Sequence, residues 1–311
     1  MRVAIIGRTA ILFNCIQYLL NTGHTIPLII TSKAAPDYSV KETDFQKIAN
    51  EIGARYIFTP RINDKSIIDN IKSLGEIDVA ISINYTGVIS SDIINLFTYG
   101  ILNAHGGNLP RYRGNACQAW AIINGENEIG LCIHKMIGGE LDSGDILEKR
   151  IYPIDINTRI GEVYEWFEKD VPELMMSSLN KLAFDRDFCP EVQSNNPEDI
   201  LRCYPRLPED GKIEWNLSAV QILRLINASS EPYSGAFTYY SKFKIIIWRA
   251  SLFDFHEKYL AVPGQIAFIN KQSGHVLIIT GCGVLCLKEI EVDGWRGSPS
   301  TFFKSIRERL K

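Results

Sequence analysis

The chain has 311 residues, with 33 Lys and Arg against 36 Asp and Glu, a formal net charge of −3. Apolar residues make up 46% and charged residues 22%, which excludes disordered and collagen-like chains and predicts a buried core in roughly two domains. No apolar run approaches the ~18 residues that span a bilayer, and the charge balance argues against a protein whose main task is gripping nucleic acid or an anionic membrane.

Charge interrupts Met1–Arg8 too early for a signal peptide, so a soluble, cytoplasmic protein is expected. Arg2–Ile6 reads as a strand, and Ile11, Leu12, Cys15, Ile16, Leu19 and Leu20 recur at helical spacing after it. Ile26–Thr31 is the next strand, followed by a helix with Phe45, Ile48, Ala49 and Ile52 on one face that stops at Gly53. Strands at Arg55–Phe58, Ile77–Ser82 and Gly100–Asn103 alternate with helices marked by Ile67, Ile68, Ile71 and Leu74, then by Ile89, Ile93 and Ile94. This alternation predicts a doubly wound, mostly parallel α/β sheet, because parallel neighbours need a crossover. Its ligand crevice is expected at the carboxyl ends of the strands.

Ile129–Met136 and Ile146–Ile154 read as added strands, and a longer helix follows with Val163, Trp166, Phe167, Leu174, Met175, Leu179 and Leu182 inside. Asn195–Asp199 and Pro205–Gly211 are polar and turn-rich, which suits an interdomain connection. We therefore expect a catalytic-type domain over 1–204 and a second over 205–311. The second holds one helical pattern (Val220, Leu223, Ile226) and strands at Ala236–Tyr240, Phe243–Arg249, Gln265–Ile269, Val276–Thr280 and Val284–Ile290, favouring a small β-barrel. Phe302–Lys311 reads as a basic helical tail, and Gly294–Lys311 as a solvated end. The seven cysteines are scattered and read as reduced thiols, with Cys282 and Cys286 as small residues of a β core. No metal site and no disulfide are expected.

The densest polar cluster is Asn103–Gly114, directly after a strand. Residues two apart on a strand point the same way, so Asn103 and His105 aim an amide and an imidazole into one pocket. A second cluster, Gly138–Asp145, is an acidic glycine-flanked turn, and a carboxylate there could reach an imidazole on the neighbouring strand end, orient it and raise its basicity. Taken singly, each also reads as ordinary structure, a hydrogen-bonded histidine and a hairpin turn. Gly7-Arg8-Thr9 lacks the glycines of a dinucleotide fingerprint, which demotes a dehydrogenase reading.

At these residues the sequence resembles the formyltetrahydrofolate-dependent formyltransferase family. The likeness lies in Asn103-Ala104-His105, in Leu109-Pro110-Arg111-Tyr112-Arg113-Gly114 and in Asp142-Ser143-Gly144. It implies that an acceptor amine attacks the formyl carbon of 10-formyltetrahydrofolate, with Asn103 and a protonated His105 holding the oxyanion and Asp142 keeping His105 charged. It also implies a folate site along Asn84, Tyr85, Thr86, Gly87 and Val88 and from Met136 through Gly139 to Asp142. Asn84–Gly87 reads equally well as a helix cap and turn.

Three acceptors are compatible with the family. A glycinamide ribonucleotide enzyme would end near residue 200. A methionyl-tRNA enzyme has this two-domain layout but must grip a polyanion, and residues 206 to 303 hold ten Lys and Arg against nine Asp and Glu. Pro205–Trp215 and Glu231–Phe237 resemble sugar N-formyltransferases. The expectation is therefore a nucleotide-linked (dTDP or UDP) amino-dideoxy sugar acceptor for surface-polysaccharide synthesis, with no nucleic acid partner and, by resemblance, a homodimer. Arg8, Tyr112, Arg113 and Arg206 are the candidate substrate contacts. Methionyl-tRNA formyltransferase and a non-catalytic binding protein are the alternatives.

Overall fold

The computed structural model describes residues 1–35 and 38–311. They fall into two compact units. One comprises 1–114, 129–152 and 164–203, and the other 115–128, 153–163 and 204–311.

In the first unit, β1 (Val3–Gly7), β2 (Leu28–Thr31), β3 (Arg55–Phe58), β4 (Val79–Ile83) and β5 (Ile101–His105) are parallel neighbours in the order β3-β2-β1-β4-β5. Helices α1 (Ala10–Asn21), α2 (Glu42–Ile52), α3 (Lys65–Lys72) and α4 (Ser91–Ile94) connect them. Every residue of β1, β2 and β4 is buried, which explains their unbroken apolar runs: both faces of a doubly wound sheet are covered. The strand order reverses at β1, so the crevice opens where β1, β4 and β5 end. Past β5 the chain forms the two-residue strand β6 (Arg113–Gly114) and helix α5 (Cys117–Asn124). It returns as β7 (Glu128–Lys135), antiparallel to β5, and β8 (Ile146–Pro153) completes the seven-stranded sheet. Helix α6 (Ile160–Phe184) follows, and β9 (Arg202–Cys203) pairs with β6.

The second unit is built on α7 (Ala219–Ser229) and an antiparallel sheet of β10 (Ala236–Tyr240), β11 (Phe243–Phe253), β12 (Ile266–Ile269), β13 (Val276–Ile279), β14 (Val284–Val292) and β15 (Trp295–Gly297), with a short α8 (Pro299–Phe302). Ser218 and Gln221 cap the start of α7. Ile222, Ile226, Ile245, Ile247, Leu285 and Leu287 are fully buried in its core.

The end of the chain departs from the expected solvated helix. Only Pro299–Phe302 is helical. Phe303 and Leu310 are 0% and 1% exposed and belong to the core of the unit. Leu310 N–H donates to Gly264 O and Ile266 N–H to Glu308 O, while Lys311 and Tyr239 exchange both backbone bonds. Residues 308–311 thus join the two edge strands β12 and β10 and close the sheet on itself, removing open edges. Alternating Phe303, Ile306 and Leu310 with five charged residues mimics an amphipathic helix over so short a stretch, which is why periodicity misleads here. Cys282 likewise sits exposed in the β13–β14 turn, whereas Cys286 is buried on β14.

Candidate active site

Strand β5 ends in Asn103 and His105. Its antiparallel register with β7 sets Asn103 opposite His134 and His105 opposite Cys132. Opposed residues share a face, so Asn103, His105 and His134 project together. A Cβ on Gly107 would lie 2.3 Å from Tyr112 O and 2.6 Å from His105 Nε2. Only glycine lets the loop fold back so that His105 Nε2 reaches Tyr112 O at 2.6 Å. A carbonyl only accepts, so Nε2 carries the proton. Asn103 Nδ2 donates to Ser82 O at 2.9 Å, leaving its second amide hydrogen and Oδ1 for a ligand.

Asp142 sits at φ +53° in the β7–β8 connection, a conformation Asp tolerates better than most residues. Its Oδ2 accepts the Gly114 N–H at 2.8 Å and lies 3.5 Å from His105 Nδ1, and its Oδ1 lies 3.4 Å from His134 Nε2. The carboxylate is 11% exposed and the two imidazoles are 9% and 1% exposed. Burial raises the Asp142 carboxyl, but His105, His134 and the Gly114 N–H together outweigh it and bring it down to about 2. His105 is pushed below its usual value by burial, with Asp142 pulling it up and His134 adding to the depression.

A residue that sequence reasoning missed holds this turn. Gln193, 4% exposed, donates Nε2–H to Asp142 O at 2.9 Å and to Gly144 O at 2.6 Å. Its Oε1 accepts from Arg113 Nη2 at 2.8 Å and Nε at 3.2 Å. No motif marks Gln193, which lies in the polar run Val192–Asn196. Arg113, expected at a substrate phosphate, is instead 8% exposed and committed to this clamp.

The other expected residues are placed as follows. Asn84 and Val88 are exposed at the end of β4, and Asn84 is at φ +53° and donates to the Tyr38 hydroxyl at 2.5 Å. Tyr85 donates to Thr59 O at 2.7 Å, and burial pushes its phenol up to about 12. Thr86 Oγ1 bonds Ser32 Oγ at 3.1 Å. Tyr85 and Met136 pack against one apolar cluster, and a Cβ on Gly138 would fall 2.3 Å from Ser91 N. The segments after β4 and β7 are therefore brought together. Gly139 is exposed at φ +80°. Arg8 donates to Asn84 O and Lys33 O, and Tyr112 is buried at φ +59°. In the second unit, Arg206 donates to Ala228 O near the C-terminus of α7 and to Ser229 Oγ, and its guanidinium lies 5.8 Å from the Trp120 ring. There it faces the negative end of the helix dipole. Among the described residues no group of three His, Cys, Asp or Glu side chains is placed to hold a metal ion.

An amide, an imidazole and a buried carboxylate gathered at the carboxyl end of a doubly wound sheet define an enzyme site for acid–base chemistry at a carbonyl. Residues 1–179 match the formyl transferase family and residues 207–307 match the formyl transferase C-terminal domain. The chain belongs to the formyl transferase family and is a formyltransferase. It is 26% identical over 298 residues to the methionyl-tRNA formyltransferase of Ruminiclostridium cellulolyticum, covering 94% of this chain and 92% of that one. It is 33% identical over 231 residues to the methionyl-tRNA formyltransferase of Clostridium tetani, covering 74% and 71%. Among solved structures it is similar to an N-formyltransferase from Helicobacter canadensis in complex with folinic acid and dTDP-3-aminofucose, at TM-score 0.66 and 19% identity over 92% of this chain and 98% of that one. A sugar 3N-formyl transferase solved with dTDP and 5-N-formyl-THF gives TM-score 0.67 at 18% identity, over 95% and 98%.

These relatives overturn the expected amino-sugar nucleotide acceptor and the exclusion of nucleic acid. The relatives matched over nearly the whole chain carry the methionyl-tRNA name, whereas the sugar enzymes share the fold at below 20% identity. The charge argument ran over residues 206 to 303 and gave little weight to the four cations of residues 304–311. Lys242, Lys244, Lys304, Arg307, Arg309 and Lys311 are all exposed. The closing segment 308–311 pairs with Tyr239, and Phe302 and Phe303 pack 5.1–6.1 Å from one another and from Tyr240 and Phe243. Lys311 thereby sits beside β10, whereas Arg309 pairs with Gln265 next to β12.

Proposed function

We propose that this enzyme transfers the formyl group of 10-formyltetrahydrofolate to the amino group of methionyl-tRNA. The observation that carries the reading is the identity to a methionyl-tRNA formyltransferase over 94% of this chain and 92% of the relative, across both matched parts. The exposed cations Lys242, Lys244, Lys304, Arg307, Arg309 and Lys311 of the second unit support it, because a polyanion is gripped by exposed positive charge. Such an acceptor would make the enzyme cytoplasmic.

The folate lies along Asn84–Val88, with Met136 and Gly139 closing the pterin side. The acceptor amine attacks the formyl carbon and forms the new C–N bond, and the carbonyl electron pair moves to oxygen. Asn103, through its free amide hydrogen, and His105, through the Nε2–H it withdraws from Tyr112 O, donate to that oxyanion. One preplaced donor of this kind contributes on the order of 10²–10³ in rate. Collapse breaks the bond to the folate nitrogen, which receives the proton the amine has lost, carried by the His105–Asp142 pair.

The test is incubation of purified protein with 10-formyltetrahydrofolate and methionyl-tRNA. Tetrahydrofolate release should depend on the charged tRNA and yield formylmethionyl-tRNA, and His105→Asn and Asp142→Asn should each lose about 10²-fold or more in kcat/KM. Replacing Lys304, Arg307 and Arg309 by Ala should raise KM for tRNA and lower its salt dependence by about three units of log–log slope. No tRNA-dependent turnover by the wild-type enzyme would overturn the reading.

A further inference from the structure

Residues 106–112 link β5 to β6 and carry the Tyr112 carbonyl that meets His105 Nε2 at 2.6 Å. A loop carbonyl lacks the partner that a sheet ladder would supply, and a buried one left without a donor is costly. Here β7 and β8 supply the donors. Burial pushes the Cys132 thiol on β7 up to about 11, so it keeps its proton, and Sγ donates to Gly107 O at 3.3 Å. Leu109 is 0% exposed and packs with Cys132 and Ile146. Its N–H turns back onto Gly107 O at 2.9 Å, and its carbonyl accepts from Lys149 Nζ on β8 at 2.9 Å. Under the same loop, a Cβ on Gly130 would lie 2.5 Å from Asn108 Cα. A lysine ammonium offers only donors, and its charge-assisted bond to a carbonyl is stronger than that of a neutral amide. Tyr112, three residues beyond Leu109, is buried at φ +59°, which leaves little slack between the Lys149 anchor and the carbonyl on His105.

We propose that Lys149 is a positioning residue for formyl transfer: by holding Leu109 O it keeps the 106–112 loop down on β7, and so places Tyr112 O where it sets the orientation of the His105 ring. The inference rests on the role proposed for His105. Lys149 acts on the reacting group at second hand, through the loop. Its loss should therefore slow the chemical step and leave the binding of both substrates as it was. The apolar contacts of Leu109 with Cys132 and Ile146 do not depend on the ammonium, so removing it loosens the loop without emptying the cluster beneath.

The experiment measures kcat and both KM values, with 10-formyltetrahydrofolate and methionyl-tRNA, for Lys149→Met and Lys149→Arg, each made also in the His105→Asn background. Met keeps the apolar stem and has no donor, so it should lower kcat about 10- to 100-fold while each KM stays within about twofold. Arg restores a charged donor and should bring kcat back to within about fivefold of wild type. In His105→Asn the ring is gone, so adding Lys149→Met should cost less than about twofold more, as for residues that act as a unit. A Met variant with the kcat of wild type overturns the inference. So does an equal loss in both backgrounds, which is what a purely structural role gives, or an Arg variant no better than Met. Should Lys149→Met not fold, Gly130→Ala displaces the loop from beneath and must show the same pattern; wild-type kcat in it overturns the inference. Wild-type activity in His105→Asn alone would instead overturn the site assignment beneath it.

Discussion

Replacing Gln193 by Met keeps the volume of the side chain and removes every hydrogen bond it makes. Arg113 then loses its acceptor at 2.8 and 3.2 Å, and the carbonyls of Asp142 and Gly144 lose a donor at 2.9 and 2.6 Å. A hydrogen bond to a charged group contributes about 1.5–3 kcal/mol, and a buried group stripped of its partner costs about 1–3 kcal/mol. With some relaxation, Gln193→Met should cost about 3–5 kcal/mol in the first unit, at the upper end of single-residue effects. Function should suffer separately, because the clamp holds Asp142 at φ +53°; a small displacement there costs about 10²-fold in kcat/KM. Gln193→Glu divides the effect: it can accept from Arg113 but cannot donate to the two carbonyls. It should therefore recover part of the stability and little of the activity. Urea unfolding of the full chain and formyl-transfer kinetics measure the two quantities. A Met variant within ~0.5 kcal/mol of wild type would refute the reasoning, as would a Glu variant with full activity.

Acid should weaken the site in a defined window. The Asp142 carboxyl is lowered from 3.8 to about 2 in the folded protein, so its contribution is complete above pH ~4 and is lost as pH falls towards ~2. The difference in unfolding free energy between wild type and Asp142→Asn should shrink by about 2 kcal/mol across that range, and a flat difference would contradict the proposed pairing. In the second unit, Phe303→Ala should cost about 3–5 kcal/mol and Leu310→Ala about 2–5 kcal/mol. Both should also increase aggregation measured by light scattering, because loosening residues 308–311 exposes the edges of β10 and β12; unchanged melting would show that the closing segment carries no load.

Strands β1, β2 and β4 were legible because burial on both faces leaves an unbroken apolar run that polar flanks delimit. Asn103 and His105 were legible for a related reason: a period of two on a strand fixes their common side before any tertiary contact is known. His134 was not, although the strand holding it was expected. Its meaning depends on the register of β7 against β5, set across an intervening thirty-odd residues, and no local pattern encodes that register. Gln193 escaped for the same kind of reason, since an amide in a polar run becomes a clamp only when β9 and β6 bring the chain back. The acceptor was misjudged because a near-even charge count over residues 206–303 outweighed the four cations of residues 304–311.

The division of the chain into units has a consequence for its synthesis. Helix α5 belongs to the second unit and packs on α7, which begins at Ala219, so nearly a hundred residues must leave the ribosome before its partner appears. At ~5–20 residues per second, Cys117, Ala121 and Ile122, buried in the finished protein, remain uncovered for on the order of ten seconds. The first unit's central strands can assemble during that delay. The C-terminal barrel can close only when residues 308–311 have emerged, so chaperone demand in the cell is expected to fall on α5 rather than on the nucleating sheet.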